Sequence, residues 1–142
     1  GDTAAGDAAR ASVDAYVTAI RVMSLAIAAS LAVAEVYVSA DAAEDQQAAL
    51  TGVIDAELDL EPDDDTFTAL SDLRASLVAA LSETASTLPR LREIEVNSPT
   101  PALVLAFDLY EDIDREEEIL QLNRARALHP GFLAGTLTVL TA

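Results

Sequence analysis

The chain of 142 residues has no cysteine, no lysine, a single histidine, five glycines, five prolines and only 4% aromatic residues. Without cysteine, neither a disulfide framework nor a thiolate metal site can form, and the redox compartment leaves no mark. So few aromatic side chains argue against an aromatic-lined ligand pocket. The lone His129 precedes proline in what reads as a turn and has no nucleophile motif beside it. Nucleophilic and general-base chemistry therefore lack their usual residues, and the chain reads as non-enzymatic, without cofactor or metal.

What is present is alanine and acid. Apolar residues make up 51%, much of it Ala, which predicts a core of thin, closely approaching helices. The formal charge is −17, carried unevenly: residues 1 to 88 hold 16 acidic and 3 basic side chains, residues 89 to 142 hold 9 and 5. Such a surface repels phosphate backbones, so direct nucleic-acid binding is not expected. It suits a solvated surface on an assembled protein, a high-salt setting or a basic partner.

Length allows one good core or two small ones, and the grammar divides the chain at Pro89. Residues 1 to 88 predict an acidic, Ala-rich lobe of three antiparallel helices. The first runs from Asp7 to about Ala40, with Val13, Tyr16, Val17, Ile20, Met23, Ile27, Leu31 and Val38 at helical spacing, and reads as a buried packing helix. Ala26, Ala28, Ala29 and Ser30 would admit a close neighbour. Its apolar middle, about thirteen residues between Arg21 and Glu35, falls short of the ~20 of a membrane span, so none is expected. A second helix starts with Asp41 as its cap and continues through Leu50, Val53, Ile54 and Leu58. Pro62 and the acidic run Asp63-Asp64-Asp65 break the pattern, and a third helix carries Phe67, Leu70, Leu73, Leu77, Val78 and Leu81 until Pro89.

Residues 89 to 142 predict a small β-α-α-β module, so the fold class is α+β, mostly α. Arg92 to Asn97 alternates with period two, Ser98-Pro-Thr-Pro reads as a turn and helix start, Ala102 to Tyr110 as a short apolar helix, and Arg115 to Asn123 or Arg126 as an amphipathic one. Thr136 to Thr141 closes the module as a strand.

The acidic runs do not fit a calcium loop, which needs alternating Asp/Asn, a Gly and a Glu at the twelfth position. Asp63-Asp64-Asp65 reads as a helix entry with one capping Asp, and Glu116-Glu117-Glu118 as a first turn favoured by the helix dipole. His129, Pro130, Gly131 and Gly135 form the structural turn of the terminal module, the glycines supplying positive φ while Phe132 and Leu133 fill the core. Asn123 is placed as a left-handed or capping residue at the end of the last helix. With Arg124 and Arg126 it forms a candidate interaction surface.

Pro101-Ala-Leu-Val-Leu-Ala-Phe-Asp-Leu-Tyr-Glu-Asp, then Arg115, Glu118-Ile119, Asn123-Arg124 and His129-Pro-Gly-Phe, resembles the C-terminal end of the Mu-like phage DNA circularization protein family over about forty residues. That family's pattern reads leucine-tyrosine-glycine-aspartate where this chain has Glu111. The order of elements is also similar to LysM-like modules and the small phage tail proteins built on them. The resemblance implies a contractile-tail component near the tube and baseplate hub. Such a component is oligomeric among other tail subunits, resides in the virion and passes through the host cytoplasm during assembly. The LysM likeness implies an alternative, a module that binds cell-wall glycan during entry. The opening Gly-Asp-Thr-Ala-Ala-Gly-Asp lacks an initiating Met and a signal-peptide pattern, and reads as a piece of a longer protein.

Overall fold

A computed structural model describes residues 3–129 and 131–141. The fold is α+β and mostly α, and divides into two compact units: residues 1–37 with 42–86, and residues 38–41 with 87–142.

The first unit is an up-down-up bundle of α1 (Ala4–Ala34), α2 (Ala40–Leu58) and α3 (Asp64–Ser86). Directions follow from the cross-contacts. Arg74 on α3 meets Asp55 on α2 while Ser82 meets Gln47, so α2 and α3 run antiparallel, and Arg21 of α1 lies near Glu57 of α2. The core is Leu25 and Ala29 of α1, Ile54 of α2, and Leu70, Leu77 and Leu81 of α3. Ala29 and Ala32 of α1 are buried, as small residues at a close helix crossing should be.

The ends of these helices have visible causes. Thr3 caps α1 by accepting from Gly6 N–H at 3.3 Å. The helix stops six residues before the expected Ala40, without Gly or Pro: the Ala32 carbonyl accepts from Glu35 N–H at 3.4 Å, and Tyr37 turns back so that its hydroxyl donates to the same carbonyl at 2.7 Å. Asp41 is not the cap of α2 but a first-turn residue, and its carboxylate accepts from Leu91 N–H at 2.8 Å. Asp63 does cap α3, taking Thr66 N–H at 3.0 Å and the Thr66 hydroxyl at 2.8 Å.

In the second unit the described residues form a three-stranded antiparallel sheet, order β1-β3-β2, with β1 at Leu91–Pro101, β2 at Ala127–His129 and β3 at Phe132–Leu140. Leu91 pairs with Leu140 and Val96 with Gly135; after a register shift, Thr100 pairs with Leu133. Ser98-Pro-Thr-Pro is thus not a turn but the bulged end of β1. The bulge accommodates Pro99, which has no N–H for a ladder. Between β1 and β2 lie α4 (Ala102–Tyr110) and α5 (Glu116–Leu122), joined by a 3-10 turn at Ile113–Arg115. The core is Ala102, Leu105, Ala106, Ile119, Leu133 and Leu137. Phe132, expected in that core, is 40% exposed instead, because Leu133 takes the inward position of β3.

Candidate interaction surface

The apolar residues that most suggested a buried face on α1 are the ones left bare. At 100° per residue, Val22, Leu25, Ala29 and Ala32 share one side and pack within the unit, while Val13, Tyr16, Ile20, Met23, Ile27 and Leu31 lie on the opposite side. Tyr16 is 73% exposed, Ile20 and Met23 63% each, and Leu31 67%. The periodicity was right and the face was wrong. A helix apolar all round is one whose second side expects company.

The strip carries no charge of its own. Between Ala11 and Ala34 the only charged residues are Asp14 and Arg21, and both sit toward the packed flank. Alongside Tyr16, the small side chains of Ser12, Ala15 and Ala19 leave an open recess of about 370 Å³. Further along, Ala29, Ser30 and Val33 of α1 and Leu73, Leu77 and Ala80 of α3 border a mainly apolar groove of about 430 Å³. The 31-residue helix also contains an 18-residue window of mean hydropathy 2.0, only 17% buried. Counted across Arg21, the helix is long and apolar enough to cross a membrane by length and composition alone, a test that packing helices of water-soluble proteins pass as well.

In the second unit, Gly131 and Gly135 have φ of +87° and +85°, as expected. The Gly131 carbonyl accepts from Ala102 N–H at 2.7 Å, joining the turn to the start of α4. The His129 backbone pairs with Phe132 in the sheet; its side chain, and Pro130 altogether, lie outside the described residues. Arg124 and Arg126 are exposed on a short 3-10 turn.

Asn123 does not join them as surface. It is 4% exposed and its φ is −120°, so it is neither left-handed nor available to a partner. Its amide donates to the Ile119 and Thr138 carbonyls at 2.9 and 2.7 Å and its oxygen accepts from Thr138 N–H at 2.8 Å. On α4, Leu103, Val104 and Phe107 are 45%, 41% and 55% exposed, a smaller bare face that the sequence pattern did not single out.

The sequence also did not reveal a cluster at Tyr110. The Arg115 guanidinium lies 3.5 Å from the centre of the Tyr110 ring and pairs with Glu118 at 2.8 Å, while the Tyr110 hydroxyl donates to the Leu140 carbonyl at 2.9 Å. The Arg115/Glu118 spacing of three on a helical stretch was the available signal. Burial raises the pKa of Tyr110. Asp55 is held below the usual carboxylate range chiefly by its hydrogen bonds from Arg74, and Asp63 by those from Thr66. Among the described residues no three His, Asp or Glu side chains converge as metal ligands would. No family model matches the chain, and no curated protein matches it.

Proposed function

We propose that this chain is a non-enzymatic assembly module of a phage or phage-derived contractile tail, at the tube and baseplate hub. The observation that carries the assembly part is the uncovered apolar side of α1, reinforced by the bare Leu103, Val104 and Phe107 of α4. Isolated soluble domains rarely expose contiguous apolar surface on this scale, and interaction sites do. The tail context rests on the resemblance, and Glu111 supports it. Where the family pattern has glycine, Glu111 adopts φ +56° and ψ +24°, the left-handed conformation that glycine favours. In this reading, DNA handling belongs elsewhere, because a surface of charge −17 repels a phosphate backbone. The chain is made in the host cytoplasm and ends in the virion.

The test is mass spectrometry and immunoelectron microscopy of tail particles purified from the producing cells. The expected result is this chain in fixed stoichiometry at one end of the tube, with incomplete tails when its coding sequence is deleted. Its absence from particles that assemble normally without it overturns the reading.

A further inference from the structure

We infer that the bare side of α1 pairs with the same side of α1 in a second copy of this chain. The inference deepens the assembly reading by naming one partner, but it stands on its own observations.

Spacing comes first. Val13, Tyr16, Ile20, Met23, Ile27 and Ser30 follow one another at intervals of three, four, three, four and three, the repeat by which two helices keep a common seam. One set of alternate positions is β-branched throughout, Val13, Ile20 and Ile27, and the other holds Tyr16, Met23 and Ser30, so the seam is uncharged along its length. The residues flanking the seam, Ser12, Val17, Ala19, Ser24, Ala26, Leu31 and Val33, are all uncharged.

Charge then selects the occupant. Two copies each carrying −17 repel one another over most orientations. Residues 4–34, by contrast, hold two Asp and two Arg, so α1 is neutral and its strip uncharged. This is the one long element through which like copies approach without opposing charge. A basic partner would find nothing here to recognise. The small side chains of Ser12, Ala15 and Ala19 leave a shallow open surface beside the prominent Tyr16, a relief compatible with the self-complementary face of a two-fold contact.

Area permits pairing. The exposed side chains from Val13 to Leu31 present on the order of 700 Å² per copy, so pairing can remove at most about 1,400 Å² from water, an upper bound that reaches the range of specific interfaces. A bilayer fits the strip less well. Crossing one would strip α1 of its packing against α3 or carry the Asp and Glu side chains of α2 and α3 into hydrocarbon. Lying on an anionic leaflet calls for Lys and Arg, of which α1 has only Arg10 and Arg21.

The experiment is sedimentation equilibrium of the full chain at about 100 µM, in 0.15 and 0.5 M salt to screen the net charge. The expected mass is twice the 14.9 kDa of one copy. Ile20→Glu with Ile27→Glu halves it while helical circular dichroism is retained, and Ala48→Glu, the same charge on an exposed part of α2, leaves it doubled. Because the double variant could lose its fold, single-cysteine variants provide an independent reading in this cysteine-free chain. Mild oxidation is expected to cross-link copies through Ile20→Cys or Ile27→Cys but not through Ala48→Cys. A monomer at both salt concentrations with no cross-link overturns the proposal, as does a monomer that instead co-sediments with vesicles of phosphatidylcholine and phosphatidylglycerol. A monomer that is nevertheless found in purified tails removes self-pairing alone. A dimer absent from tails removes the tail reading alone.

Discussion

The side chain of Asn123 bonds both backbone polar groups of Thr138, donating to its carbonyl at 2.7 Å and accepting from its N–H at 2.8 Å. β2 covers the outer edge of β3 only at Phe132 and Leu133. Further along, one amide stands where a strand residue would stand, and its third bond, to the Ile119 carbonyl, fixes the end of α5 to that edge. Asn123→Ala leaves the Thr138 carbonyl and N–H without these bonds in a nearly dry site, at a cost of about 3 kcal/mol, while the Ile119 carbonyl keeps the backbone N–H of residue 123. Urea denaturation of the second unit should show the loss. Amide exchange at Thr138 should accelerate before exchange elsewhere in β3.

Two substitutions at left-handed positions should act with opposite sign. Glu111 holds φ +56° at the end of α4, so Glu111→Gly relieves strain and should stabilise by about 0.5–1 kcal/mol after the greater unfolded-state entropy of glycine is counted. Gly135 has φ +85°, and a Cβ there would meet nothing within 4 Å. Gly135→Ala therefore costs only the backbone conformation, about 1–2 kcal/mol. Thermal melts of the two variants check both directions.

Acid should loosen the first unit through two particular carboxylates. Asp55 and Asp63 titrate below the ordinary value of 3.8, so their stabilising contribution is present above that pH and is lost as pH falls through their lowered folded values. Asp55→Asn and Asp63→Asn should each lower the melting temperature at pH 7. The difference from the parent should vanish toward pH 2.

Alkali acts on the second unit with the other sign. Burial raises the pKa of Tyr110, so its contribution is whole below about pH 10 and is lost as pH rises through the raised value. Tyr110→Phe removes the bond to Leu140, costing about 1 kcal/mol near neutrality. Melts across pH 9 to 12 should then show a shallower alkaline fall than in the parent.

Local chemistry made much of this legible beforehand. Pro62, the capping Asp63 and Pro89 mark where helices begin and end, period-two alternation marks β1, and the glycines at 131 and 135 sit where φ is positive. Other features have no local signature. β2 is three residues, too short for any period to show, and its partner is decided by a chain reversal. Asn123 was recognisable as a helix-end residue, but the strand that fills its three hydrogen bonds lies fifteen residues away. The end of α1 depends on Tyr37 reaching back to Ala32, which no propensity signals.

The deepest division runs along α1. Residue order by itself determined that this helix is apolar, nearly free of charge and repeated at intervals of three and four, because those properties belong to side chains and their spacing. Which side meets α2 and α3 was decided only by the tertiary structure. Both sides are apolar, and close packing favours the one whose small Ala29 and Ala32 let neighbouring backbones approach, leaving the bulkier Tyr16, Ile20, Met23 and Ile27 facing outward.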